Sequence, residues 1–140
     1  MKADLIAEEA SDEWIAAHGH AAASVAKEVA EQLRIQHLFC DPDTGQRRAI
    51  GLKVGEELVI HAMALSRETG REWTDIHGEE IEKGFPIREA VWLERLEGRD
   101  PNNRSVIFVC GAGHVDTFSG ALYARQILAS IHCRDWTEGA

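Results

Sequence analysis

The sequence predicts an α/β protein, a three-layer arrangement with a mainly parallel sheet of about four strands and flanking helices, formed as a single domain over residues 1–140. Three observations lead there. Short apolar runs alternate with longer stretches of helical spacing, in the order β-α-β-(α-α-α)-β-α-β, which implies parallel strands joined by right-handed crossovers. The run Val106-Ile107-Phe108-Val109 is rich in β-branched residues and free of charge, as a buried strand requires. No repeat, low-complexity tract or linker divides a chain whose length suits one domain.

Each element has its own warrant. Residues 3–7 are a short apolar run that ends in Glu8-Glu9, a first strand. Over residues 21–33, Ala22, Ala26, Val29 and Leu33 share one helical face. Residues 35–39 form a second strand, closed at Cys40-Asp41-Pro42 because proline blocks continuation, and Asp43-Thr44-Gly45 reads as a turn. Residues 54–97 are helical with breaks. Val54, Leu58, Ala62 and Leu65 make a stripe that Gly70 ends, and a polar helix over 72–83 is capped by Gly84. Pro86 suits the first turn of a third helix, which runs through Val91, Trp92 and Leu96 to Gly98. A loop at Asp100-Pro101-Asn102-Asn103 leads to the strand over 105–110, then a helix over 115–128 and a last, partly polar strand over 130–134. The four tryptophans, Trp14, Trp73, Trp92 and Trp136, read as packing anchors.

Composition excludes several roles. With 44% hydrophobic and 28% charged residues, the chain is neither disordered nor fibrous. A formal net charge of −9 repels nucleic acid and anionic membranes, and Arg47-Arg48 is only a pair. Glu8 and Glu9 interrupt any apolar core that a signal peptide would need, and no run reaches membrane-spanning length. Three cysteines, Cys40, Cys110 and Cys133, suit a reducing cytoplasm better than a disulfide scaffold.

Parallel strands deliver their carboxyl ends to one edge, where ligands of open α/β sheets bind. The residues arriving there are Glu8, Glu9, Cys40, Asp41, the turn from Gly111 to His114, and Arg134-Asp135. Carboxylates and an imidazole from different strand ends suit a divalent metal or an acid–base set. Gly111 and Gly113 allow a ligand close to the backbone beside His114. Arg88 stands at a helix start, against the dipole, so either a site or a local pairing such as Glu89 holds it there. Other signals are weaker. Gly111-Ala112-Gly113 is half of a dinucleotide fingerprint, but Asp116 replaces its third glycine. Cys110 lacks the arginine that a phosphatase loop would want, and reads as a buried strand residue. No GxSxG or HExxH is present. His18 and His20 could supply a metal ligand or simply be solvated. His61 reads as packing, and Asp75, His77, Glu79 and Glu80 as a solvated helix face.

Two segments together resemble a known family. Ile87-Arg88-Glu89-Ala90-Val91-Trp92-Leu93, followed by Val106 to His114 and Phe118, is similar to the C-terminal part of the TraB/TIKI, ChaN and erythromycin-esterase-like superfamily. There an arginine-bearing helix precedes a strand ending in GxxH, and Gly111-Ala112-Gly113-His114 has that form. Leu5-Ile6-Ala7-Glu8-Glu9 resembles the superfamily's acidic strand end. The resemblance spans most of the chain through short motifs. It implies a relative of metal-dependent peptidases, macrolide-lactone esterases and iron- or haem-associated proteins, with Glu9 (or Glu8), Arg88 and His114 as polar site residues. The superfamily's first strand and first GxxH have no counterpart here, which predicts an unpaired sheet edge and a homodimer or another homo-oligomer.

The leading expectation is therefore a metal-dependent hydrolase-like protein, active or retained as an inactive binding module. A manganese, zinc or iron ion on Glu8, Glu9 and His114 would polarise a carbonyl and activate water. Glu9 would ligate or act as base, His114 would ligate or stabilise charge, and Arg88 would hold an anionic group. Gly111, Gly113 and Asp41 would meet a small-molecule substrate. The alternative is a non-enzymatic small-molecule or phosphate binder built on the Gly111–His114 turn and the helix start after it. A third option is an interaction protein that docks a partner on its edge strand.

Overall fold

A computed structural model describes residues 2–18 and 24–134. Strands β1 (Leu5–Glu8), β2 (Gln36–Phe39) and β3 (Val106–Val109) form one parallel sheet in the order β2-β1-β3. Ile6 stands opposite His37 on one side and Ile107 on the other. Leu5, Ile6 and Ala7 are all buried, because the central strand is covered on both faces.

The sheet has three strands where the sequence predicts about four. Residues 130–134 form no strand, and every described residue from 128 on is exposed. The last helix also ends sooner than its pattern suggests, at Ala124, and Gln126 then adopts a left-handed φ of 59°. The polar alternation of Ser130, His132 and Arg134 offers too little apolar surface to hold a strand against β3.

The described residues also form seven α-helices: α1 (Asp12–His18), α2 (Val25–Leu33), α3 (Thr44–Ala49), α4 (Glu56–Thr69), α5 (Trp73–Lys83), α6 (Phe85–Glu97) and α7 (Val115–Ala124). Local chemistry sets their ends. Ser24 caps α2 by accepting from the Lys27 amide at 2.9 Å. Asp43-Thr44-Gly45 is not a turn but the start of α3. Asp43 accepts from the Gln46 amide at 2.8 Å, and the Gln46 side chain accepts from the Asp43 amide at 3.0 Å, a reciprocal capping box. Gly70, at φ 72°, ends α4 in a conformation that a side chain would strain. Pro86 lies in the first turn of α6, where its missing N–H costs nothing.

On one face of the sheet, α6 and α7 pack against Leu5 and Ala7. Glu89, Trp92, Leu93 and Leu96 make the buried stripe of α6 at the i, i+3, i+4, i+7 spacing. Trp92 is wholly buried, with its ring centroid 5.3 Å from Phe108 and 5.2 Å from Phe118. Trp14 and Trp73, by contrast, are 49% and 38% exposed and lie outside the core cluster, and Trp136 lies outside the described residues. α2 packs on β1 and β2, and leaves Ile107 and Val109 of β3 exposed. No helix among the described residues is long and apolar enough to cross a membrane.

The strand order has one consequence for position. The chain steps from β1 to β2, then returns past β1 to β3. The carboxyl ends of β1 and β3 therefore flank a topological switch point, the crevice where open α/β sheets take ligands.

Candidate functional site

Glu9 follows β1, Asp41 follows β2 and His114 follows β3, so each strand delivers one acid or base to the same end of the sheet. α6 reaches over that end with Arg88, Glu89 and Trp92. Arg88 is the hub. Its Nη2 donates to Glu9 Oε1 at 2.7 Å and to Asp41 Oδ1 at 2.8 Å, while Nε donates to the same Oδ1 at 2.9 Å. The guanidinium carbon lies 5.6 Å from the Trp92 ring centroid, a favourable cation–π placement. Asp41 also accepts from Trp92 Nε1 at 3.0 Å and pairs with Arg47. A buried carboxylate is tolerable only with such partners.

His114 is 3% exposed and lies between the rings of Phe85 and Trp92, at 3.8 and 4.7 Å. Its Nδ1 is 2.8 Å from Glu89 Oε1, and Thr117 Oγ1 donates to that same oxygen at 2.5 Å. An ionised carboxylate only accepts, so Nδ1 carries a proton. Nε2 then faces Glu9 Oε1 at 3.3 Å and Arg88 Nη1 at 3.4 Å. It donates to Glu9 when protonated and accepts from Arg88 when neutral. One proton on Nε2 thus chooses between two neighbours.

The electrostatics follow from these contacts. Burial works against a charged His114, but the hydrogen bonds to Glu9 and Glu89 outweigh it and raise the pKa above the ordinary 6.5. Burial would also lift Glu9. Hydrogen bonds from His114 and the Gly111 amide, with the Arg88 charge, instead hold it at about 2. A carboxylate that low is a poor base. Burial pushes the Cys110 thiol up to about 11 and Cys40 to about 12, so neither is a thiolate nucleophile near neutrality.

The sequence-predicted residues divide into two groups. Glu9, Asp41, Arg88, Gly111 and His114 converge. The Gly111 amide donates to Glu9 Oε2 at 2.8 Å, and a Cβ on Gly111 would come within 3.4 Å of that oxygen. The protein's own carboxylate thereby takes the first amide of the turn that a phosphate binder would use. Gly113 lies against Phe85, with 3.4 Å between a would-be Cβ and the ring. Glu8 does not join the set. It alternates with Ala7 to the opposite face of β1, where Ser24 donates to it and His37 Nε2 lies 2.6 Å away. His18 turns back on α1, with Nδ1 2.8 Å from Trp14 O, and His20 lies outside the described residues. His61 faces Glu80 at 3.6 Å, Glu79 pairs with Arg71, and Arg134 pairs with Asp116 at 2.6 Å, all away from the site.

The donor set does not fit a metal held by Glu8, Glu9 and His114. Among the described residues no three His, Cys, Asp or Glu side chains are arranged to hold an ion. The position between Glu9 and Asp41 that a cation would favour is filled by the Arg88 guanidinium.

Three site residues escape the sequence reading: Glu89, Thr117 and Arg47. Glu89 carries a legible signal, a carboxylate in line with Trp92, Leu93 and Leu96 on a buried helix stripe. Thr117 and Arg47 carry none. Compared with known proteins, the chain matches no family model, no curated protein and no solved structure.

Proposed function

We propose that the protein is a hydrolase of a small carbonyl substrate, an ester or amide, in which His114 rather than a metal activates water. The observation that carries this reading is the buried line Glu89–His114–Glu9, with Arg88 beside Nε2. A histidine whose Nδ1 is fixed by a carboxylate, with Nε2 at a strand end, is placed as a general base. The resemblance of Arg88 and the Gly111–His114 motif to a superfamily that includes esterases supports the same reading.

The step balances on this chain's residues. The substrate carbonyl displaces the loosest contact of the set, Arg88 Nη1 to His114 Nε2. The freed N–H then holds the carbonyl oxygen. His114 Nε2 takes a proton from water as the water oxygen bonds to the carbonyl carbon, and the π electrons move onto the oxygen beside Arg88. Collapse re-forms the carbonyl and expels the alcohol or amine, which takes the proton back from Nε2. Glu9 and Asp41 keep the guanidinium in place, and Glu89 stabilises the imidazolium.

The test is a pH–rate profile on activated esters and amides. Activity should rise with pH through a value above 6.5, because the base must lose its proton and its pKa is raised. His114→Asn should cost about 10²- to 10⁴-fold in kcat. Glu89→Gln still accepts from Thr117 and His114 but removes the charge, so the inflection should move to lower pH. Chelator should have no effect. Loss of activity with chelator, or a Glu89→Gln profile that stays put, would overturn the assignment.

The protein is also read as a homodimer. β3 is an edge strand, and its Ile107 and Val109 are 47% and 46% exposed, a surface that supports pairing.

A further inference from the structure

A cleft of about 210 Å³ opens beside the site, between α3, α4, α5 and the start of α6. Four cations line it, Arg47, Lys53, Lys83 and Arg88, against one carboxylate, Glu80. In a chain of formal net charge −9 this is a local reversal of sign. Two of the cations are fixed in place: Arg47 and Arg88 both bind Asp41, so little side-chain freedom is lost when they meet a ligand. Lys83 is held by Glu80 at 2.5 Å, whereas Lys53 makes no ion pair among the described residues. Leu58 and Ile81 supply an apolar wall.

We propose that this cleft binds the phosphate monoester group of a small ligand. With Asp41 and Glu9 behind the arginines and Glu80 beside Lys83, the cleft keeps one net positive charge, and it offers an anion arginines as planar forks and lysines as point charges. The volume is below the roughly 300 Å³ where drug-sized pockets begin, which limits the ligand to a phosphate on a short body. Arg88 belongs to both the cleft and the His114 site. A phosphate anchored here meets the same guanidinium that borders His114 Nε2. The proposal names the substrate class of the hydrolase reading and rests on it for catalysis alone; phosphate binding is a separate measurement.

Isothermal titration calorimetry on the full chain tests it, with inorganic phosphate, phenyl phosphate and benzoate as probes. Both phosphates should bind, more weakly as salt rises, and more tightly than benzoate. Lys53→Glu places a carboxylate in the cleft from an exposed position and should weaken phosphate at least about tenfold, a loss of roughly 1.4 kcal/mol. Lys53→Ala, the milder change, should lie between it and wild type. His114→Asn should keep phosphate binding while losing hydrolysis, so the two readings fail separately. No phosphate binding at millimolar concentration, a stronger response to benzoate, or an affinity unchanged in Lys53→Glu would each overturn the proposal.

Discussion

A proton on His114 Nε2 faces Glu9 and Arg88, and Glu9 is the carboxylate whose pKa that contact helps to lower. Glu9 titrates near 4.5 when unfolded and at about 2 when folded. A lowered folded pKa means stability that is present above about pH 4.5 and lost as pH falls toward 2. The difference is worth roughly 3 kcal/mol at neutral pH. Urea denaturation of wild type and Glu9→Gln should show a gap that narrows across that acid window. A gap independent of pH would mean that the carboxylate is not held by charge. His114 has the opposite sign: its raised pKa gives stability that is full below 6.5 and fades as pH climbs through the folded value. At this scale, residue type and strand-end position made Glu9, Asp41, Arg88 and His114 legible. The pairing was not. Arg88 is next to Glu89 in sequence, yet the helical turn sends Glu89 inward to His114 and leaves Arg88 to reach Glu9 and Asp41.

Among the elements, α6 does the positioning: its buried stripe seats Trp92 in the core and so fixes Arg88 and Glu89 one turn earlier. The periodicity of α4, α5 and α6 and their Gly and Pro boundaries were readable because each break has a backbone cause. α3 was not, since an Asp-Thr-Gly run suits a turn equally well until Gln46 is recognised as the far half of a capping box. Asp43→Ala should remove that box at a cost of about 1 kcal/mol, lowering the melting temperature by roughly 3–4 °C. Because α3 carries Arg47, the substitution should also loosen Asp41 and weaken phosphate in the cleft. A melting temperature unchanged from wild type would show that α3 is held by its packing alone.

For the whole molecule, the alternation of strand and helix identified the class, while strand order and the number of strands depended on contacts far apart in sequence. The final segment reads as a strand by composition alone, and only its lack of apolar cover separates it from one. The exposed edge of β3 makes the oligomeric state a property of the whole chain. Light scattering behind size-exclusion chromatography should give twice the 15.5 kDa chain mass. Ile107→Lys should return the monomer without unfolding it, because that side chain meets solvent in the single chain. A monodisperse monomer for wild type would refute the dimer.

The late return of β3 to β1 also sets an order of assembly. Asp4 Oδ2 accepts from the Ser105 amide across 101 residues, whereas β2 follows β1 after only the two short helices α1 and α2. Closing a loop about three times longer adds only about 1 kcal/mol of entropy, but contacts of long sequence separation form slowly. During synthesis, β1 and β2 can therefore join while the other edge of β1 waits for β3, the strand that leads to His114. Refolding followed by tryptophan fluorescence should reach its native signal only as Trp92 is enclosed between Phe108 and Phe118. Glu9, Arg88 and His114 are united in that same closing event.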